Sequence, residues 1–85
     1  MGNLLITVGS VTTANRLNRL LSGAMRTRII HTPIKISGGG CSYSIITKGE
    51  NLEQVKKIIS ANNLKVKGFF IEMEAKGEKV YHALS

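Results

Sequence analysis

The single cysteine of the chain, Cys41, is the residue best suited to do chemistry. It directly follows three consecutive glycines, Gly38, Gly39 and Gly40, and it precedes Ser42. A thiol acts as a nucleophile only as the thiolate, which a nearby helix N-terminus or positive charge stabilises. Because glycine readily adopts positive φ values, the backbone N–H groups of these residues could surround an anion held on sulfur. This spacing predicts an accessible thiol in an anion-binding loop.

A structural role for Cys41 is the alternative. Free cysteines commonly pack as small hydrophobic residues, and the three glycines would then only connect two strands. The position after a glycine triplet, outside any apolar run, favours an accessible thiol without deciding the matter. From the residues alone, both interpretations remain open.

Hydrophobic periodicity indicates the elements that would position Cys41. Runs of β-branched and apolar residues predict strands near residues 3–8, 28–32, 43–47 and 67–73. Apolar residues at three- and four-residue steps predict two amphipathic helices, one between Val11 and Met25 and one from Leu52 to a left-handed cap at Asn62–Asn63. Residues 33–42 are predicted to form a loop, and a turn at Lys76–Gly77 would return residues 79–84 as an edge strand.

The order strand, helix, strand, strand, helix, strand predicts an α+β fold of the ferredoxin-like βαββαβ type. We expect a four-stranded antiparallel sheet with both helices on one face. Whether an extra C-terminal edge strand joins it is left open by the sequence. In this fold the first two strands run parallel, so the start of the first helix and the loop holding Cys41 share one end of the sheet. The residues expected to bind an anion there, besides the glycines and Ser42, are Ser10, Thr12 and Lys35, with Lys65 and Lys67 adding positive charge.

Length and composition narrow the classes of function. The 85 residues are enough for one domain, residues 1–85, and 12 Lys and Arg against 5 Asp and Glu give a net charge of +7, which favours an anionic partner. One cysteine excludes an intramolecular disulfide, and there is no paired Cys/His set for zinc within a monomer. The apolar runs are too short to span a membrane. We therefore expect a cytoplasmic protein with no membrane contact, no metal and no resident cofactor.

The chain resembles the selenium/sulfur carrier-like proteins. The resemblance covers residues 4–73 and depends on the segments Ile30–Pro33 and Ile36–Ser37 and on the glycine-flanked Cys41. Thr32, Pro33, Ser37 and Cys41 fit the pattern of that family. Ile34 stands at the usual basic position, Lys35 follows one place later, and Ser42 replaces a glycine.

The resemblance implies a carrier or accessory protein rather than a stand-alone enzyme. Cys41 would transiently hold sulfur as a persulfide, or the corresponding selenium species, for delivery to an acceptor protein. The expected partner is an acidic donor or acceptor protein of sulfur or selenium metabolism, and the transient group on Cys41 takes the place of a cofactor.

Two other classes of function remain open. A nucleic-acid-binding module would use the exposed face of the sheet, although Tyr43 is the one aromatic residue in the third predicted strand. A regulatory module would form homodimers through edge strands or through the open face. A cysteine hydrolase is disfavoured, because neither His31 nor His82 has an evident orienting partner in the sequence.

Overall fold

The computed structural model describes residues 2–38 and 42–84 of the chain, which form an α+β fold with a five-stranded antiparallel sheet and three helices. A 3-10 turn, Gly49–Asn51, precedes the third helix. In chain order the elements are β1 (Asn3–Val8), α1 (Val11–Ser22), β2 (Arg28–His31), α2 (Ile34–Ser37), β3 (Tyr43–Lys48), α3 (Leu52–Ala61), β4 (Gly68–Ala75) and β5 (Glu78–Leu84).

The strand order in the sheet is β2-β3-β1-β4-β5, and every neighbouring pair is antiparallel. The predicted number of four strands is wrong, because the C-terminal residues add β5 beside β4 as the fifth strand. The predicted turn makes this hairpin: Lys76 and Gly77 have φ values of 52° and 79°, the left-handed conformation of a two-residue turn that matches strand twist. The C-terminal edge strand is thereby confirmed.

The main core lies between one face of the sheet and the helices α1 and α3. Central β1 has five consecutive buried residues, and every second one faces the helices. Helix α1 ends at Ser22, before the predicted limit at Met25, although Met25 still packs against the core. The apolar residues that fill this core are Leu4, Ile6, Val8, Ala14, Leu17, Leu21, Ile45, Val55 and Ile59.

The second face of the sheet is also covered. Leu5 and Ser44, which alternate with the core-facing residues of β1 and β3, are 0% exposed. The segment after β2 contributes to this cover, since Lys35 Nζ donates a hydrogen bond of 2.8 Å to the carbonyl of Lys79 in β5. This bond joins residues that follow one edge strand to the strand at the opposite edge.

Helix α2 is a single turn that the sequence patterns do not predict. Pro33, with φ −55°, precedes it, and its carbonyl accepts hydrogen bonds from the N–H groups of Ile36 and Ser37. Gly38 ends the turn with φ +69°, a conformation that favours glycine. Part of the predicted loop at residues 33–42 is therefore helical.

Candidate functional site

Tyr43 lies beside the last residues of both neighbouring strands, β1 and β2. As the first residue of β3, it pairs with Val8 at the end of β1 and with His31 at the end of β2. The rings of His31 and Tyr43 are also close, with centroids 5.1 Å apart. Because β1 and β2 each pair antiparallel with β3, they run parallel, as predicted. The start of α1 and the segment between β2 and β3 therefore share one end of the sheet, called the Tyr43 end below.

Ser10 caps the start of α1 at the Tyr43 end. Its Oγ accepts a hydrogen bond of 3.2 Å from the N–H of Thr13, and its carbonyl accepts one from the N–H of Ala14. Thr12 lies exposed in the first turn, which contains no acidic residue. Of Ser10 and Thr12, the two residues of this helix start that were expected to bind an anion, Ser10 uses its Oγ to cap the helix. No carboxylate in this turn competes for an anion at the positive end of the helix.

The segment from Thr32 to Ser42 begins and ends as a continuation of the β2–β3 ladder. The N–H of Thr32 donates a hydrogen bond of 3.1 Å to the carbonyl of Ser42. Both residues are buried. Cys41, Gly39 and Gly40 lie outside the described residues, so the predicted thiol and two of its three glycines stay predictions, and Gly38 and Ser42 are the nearest described residues on either side.

A cluster of buried hydroxyl groups lies on the second face of the sheet near this segment. Thr32 Oγ1 and Ser44 Oγ are 2.8 Å apart, and Thr7 Oγ1 donates to the carbonyl of Gly68 at 3.3 Å. The sequence pattern does not indicate that Thr32, Ser44 and Thr7 form a group. Strand alternation places Ser42 and Ser44 on the face opposite Tyr43 and Ile45, so their shared face could be predicted from the sequence. Their burial could not, because it depends on the segments that cover that face.

Two of the three predicted lysines lie at the Tyr43 end. The N–H of Lys67 donates a hydrogen bond of 2.7 Å to the carbonyl of Thr7, and a Cβ placed on Gly9 would lie 3.4 Å from Lys67 Cε. The Lys67 side chain thus runs beside the residue that precedes the cap of α1, and exposed Lys65 is two residues earlier. Lys35 differs, because its ammonium group bonds to β5.

The acidic side chains lie away from the Tyr43 end. Asn3 pairs with Lys48 of β3 and Glu72 of β4, and these residues mark the opposite end of the sheet, called the Asn3 end below. All five acidic residues of the chain are in the 3-10 turn after β3, in the first turn of α3, or in the halves of β4 and β5 nearest their hairpin turn: Glu50, Glu53, Glu72, Glu74 and Glu78.

Glu72 is the buried member of this acidic set. Its Oε1 accepts from Asn3 Nδ2 at 3.3 Å and lies 3.8 Å from Lys79 Nζ, and its Oε2 accepts from the Tyr81 hydroxyl at 3.1 Å. Burial raises the pKa of Tyr81 above 10.0, and the hydrogen bond to Glu72 and its negative charge raise that pKa further. The contacts of Glu72 therefore give this carboxylate a structural role.

A shallow groove of about 580 Å³ also lies at the Asn3 end, away from the segment that contains Cys41. Its floor is partly apolar, and three exposed cationic side chains line it: Arg26, Arg28 and Lys48. The register of β1, β2 and β3 places this groove at the opposite end of the sheet from Tyr43. The groove therefore adds nothing to the predicted thiol site.

Residues 2–38 and 42–84 contain neither a metal-binding cluster nor a membrane-spanning helix. No group of three or more His, Cys, Asp or Glu side chains in that part of the chain could hold a metal ion. None of the helices described there is long and apolar enough to cross a membrane.

Comparison with known proteins gives one family. No curated protein and no solved structure matched the chain. The family model described as "Putative Se/S carrier protein-like" matches residues 3–71, which include the whole of the Thr32–Ser42 segment. Since this match covers most of the 85 residues, the chain belongs to the Se/S carrier protein-like family.

Proposed function

We propose that this protein carries sulfur or selenium on Cys41 and passes it to a second protein. Membership of the Se/S carrier protein-like family supports this role, and the matched region includes Cys41. The chain has no second cysteine, so a disulfide within the monomer cannot compete for the sulfur atom. A transferred atom would therefore enter and leave through one residue.

The observation that carries the proposal is the pairing of Tyr43 with both Val8 and His31. Cys41 comes two residues before Tyr43 in the chain, and Ser10 comes two residues after Val8. The described flanks of the cysteine segment and the capped start of α1 are therefore neighbours. A helix start favours negative charge nearby, and sulfur transfer requires the thiolate.

Transfer from a persulfide donor conserves electrons. The Cys41 thiolate attacks the outer sulfur of a donor persulfide, R–S–SH, so that a new S–S bond forms on Cys41 and the donor S–S bond breaks. The donor leaves as the thiolate R–S⁻, and Cys41 becomes Cys–S–SH. An acceptor thiolate then attacks the outer sulfur and releases the Cys41 thiolate. With selenium as the outer atom, the same two displacements apply.

Charge around the site favours this chemistry. Lys67 lies beside Gly9 at the start of α1, and the five acidic side chains are distributed towards the Asn3 end. Cations near a thiol stabilise its thiolate. A thiol held beside the start of α1 and Lys67 would therefore be favoured as the thiolate.

The order of the strands supports a more specific fold class as well. Within the sheet, the first four strands have the order β2-β3-β1-β4, and α1 and α3 both pack on the same face. This arrangement is consistent with a ferredoxin-like sandwich to which β5 is added at one edge. The nucleic-acid alternative has less support, because Leu5 and Ser44 on the second face of the central strands are buried and cannot stack on bases.

Alkylation and loading of Cys41 test the proposal in vitro. We expect iodoacetamide to modify Cys41 at neutral pH faster than it modifies free cysteine. Incubation with cysteine persulfide should add the mass of one sulfur atom, which dithiothreitol then removes. Cys41→Ser should gain no such mass. A thiol that reacts more slowly than free cysteine and never gains sulfur would exclude the carrier role.

A further inference from the structure

The groove at the Asn3 end is lined by three cationic side chains and an apolar residue between them. Arg28 of β2 pairs with Ile46 of β3, and Lys48 follows Ile46 two residues later, so all three share one face of the sheet. Residues in such positions are about 5–7 Å apart. Arg26 lines the same groove from the connection between α1 and β2. The three cations therefore surround a common space.

The charges of these cations are not neutralised by neighbouring side chains. Arg26, Arg28 and Lys48 are exposed, and within residues 2–38 and 42–84 none of them forms an ion pair or a side-chain hydrogen bond. None of the described residues that line the groove is acidic. Glu50 lines a neighbouring hollow, which shares Asn3 and Lys48 with the groove. The groove thus attracts negative charge.

The backbone of the two arginines is held in place by contacts with other elements. The carbonyl of Arg26 accepts a hydrogen bond of 2.8 Å from Oγ1 of the buried Thr47. Thr27 Oγ1 donates to Asn18 Oδ1 of α1 at 2.7 Å, and Arg28 is paired with β3. Because these contacts exist without a ligand, binding costs less conformational entropy than it would from a mobile connection.

The end of helix α1 opposes an anion in the groove only weakly. Ser22, its last residue, lines the groove, and a helix C-terminus carries about half a negative elementary charge. The carbonyl of Arg19 accepts a hydrogen bond from Ser22 Oγ. The carbonyl of Leu21 accepts from the N–H groups of Ala24 and Met25. Three full positive charges outweigh this partial negative charge.

We propose that this groove binds a small phosphate monoester that carries an apolar group. Its phosphate bonds to Arg26, Arg28 and Lys48. Its apolar group lies against the aliphatic lining, Met25 and Ile46. A phosphate monoester has three terminal oxygens and nearly two negative charges, which match three cations better than the single charge of a carboxylate does. The groove volume of about 580 Å³ lies in the range of small-molecule sites.

A small ligand fits this groove better than a nucleic acid strand. Both have phosphates, but single-stranded nucleic acids bind most strongly where aromatic side chains stack on the bases. None of the described residues that line the groove is aromatic. The inference does not rest on the proposed function, because the groove lies at the opposite end of the sheet from Tyr43 and binding involves no step at Cys41.

Hexyl phosphate is the probe that tests the site, titrated by NMR into the wild-type protein in physiological salt. We expect saturable shifts of the amide signals of Thr27 and Ile46. Hexanol lacks the phosphate and inorganic phosphate lacks the apolar chain, so each should bind about tenfold more weakly. Shifts that do not saturate, or equal affinity for inorganic phosphate, would overturn the proposal.

Matched charge variants separate the groove from the general positive charge of the protein. Arg26→Gln/Arg28→Gln should weaken the binding of hexyl phosphate at least about tenfold, because two charge-assisted contacts are lost. Lys65→Gln/Lys67→Gln removes the same charge at the Tyr43 end and should change affinity less than about twofold, since salt screens distant charges. Equal weakening by the two double variants would refute a site in the groove.

A single-stranded oligothymidylate distinguishes the small ligand from a nucleic acid. We expect hexyl phosphate to stay bound when the oligonucleotide is added at the same concentration of phosphate groups. Displacement of hexyl phosphate, with shifts of Thr27 and Ile46 caused by the oligonucleotide, would overturn the proposal in favour of a nucleic acid ligand.

Discussion

Thr32 Oγ1 and Ser44 Oγ are 2.8 Å apart, and the two side chains are buried on the face of the sheet opposite α1 and α3. The bond joins the first residue after β2 to β3, close to the point where the chain returns from Cys41. A buried polar contact of this kind requires both partners, because a single hydroxyl left there would lose its hydrogen bonds to water without compensation.

We therefore expect Thr32→Val and Ser44→Ala each to lower the free energy of unfolding by about 1–2 kcal/mol. The double variant should cost less than the sum, with a coupling of about 1 kcal/mol, because no hydroxyl is then left without a partner. Urea denaturation of the four proteins measures this cycle. Additive effects would show that the two hydroxyl groups do not stabilise each other.

The cap of α1 gives a prediction at the Tyr43 end. Ser10→Ala removes the oxygen that accepts from the Thr13 N–H, so it should destabilise the protein by about 1 kcal/mol. Thr12→Ala is the matched control, since Thr12 is exposed in the first turn, and it should stay within about 0.5 kcal/mol of wild type. Thermal unfolding of both variants checks the difference, and equal losses would contradict the capping role.

The hairpin turn between β4 and β5 gives a prediction about glycine. Gly77 has φ +79°, and a Cβ at this position would meet no atom within 4 Å beyond its chain neighbours, so Gly77→Ala should cost about 1 kcal/mol through backbone strain alone. Gly23, with φ −71°, is the control, and Gly23→Ala should be neutral or stabilising by up to about 1 kcal/mol. Destabilisation of the same size at both positions would refute the strain argument.

Alkaline pH tests the pair formed by Tyr81 and Glu72. Folding raises the pKa of Tyr81 above 10.0, chiefly through burial and then through Glu72. This stabilisation is fully present below the unfolded pKa near 10 and is lost as pH rises through the folded pKa. Stability should therefore fall at alkaline pH, and Tyr81→Phe should make that fall shallower than in wild type.

Absorbance of the phenolate follows the same titration directly. Glu72→Gln removes the negative charge beside the Tyr81 hydroxyl, so the Tyr81 transition should move to lower pH than in wild type. An unchanged transition would show that Glu72 does not hold the Tyr81 hydroxyl in solution.

Much of the fold could be predicted because apolar residues recur with the period of the helix or strand in which they lie. The apolar steps of α1, the left-handed Asn63 and the Lys76–Gly77 turn all express local preferences. The alternation of β4 predicts Met73 in the core, yet Met73 is 46% exposed, since it lies in the part of β4 that extends past Asn3 at the start of β1. How far a strand extends past its neighbour cannot be predicted from the residues of that strand alone.

The features that could not be predicted depend on contacts between distant residues. Helix α2 has four residues, too few for a helical period to be recognised. The hydrogen bond from Lys35 to Lys79 joins residues 44 positions apart, so Lys35 could be assigned to the Tyr43 end from chain order, although its ammonium group bonds elsewhere. Burial of Thr32 and Ser44 likewise depends on what covers the second face.

The mass of the intact protein, purified from its own cells with and without reductant, tests the carrier role most directly. We predict that part of the unreduced protein is heavier by one sulfur or one selenium atom, that dithiothreitol removes the added mass, and that Cys41→Ser lacks it. A single unmodified mass under both conditions, in cells that are actively making sulfur- or selenium-containing products, would contradict the account.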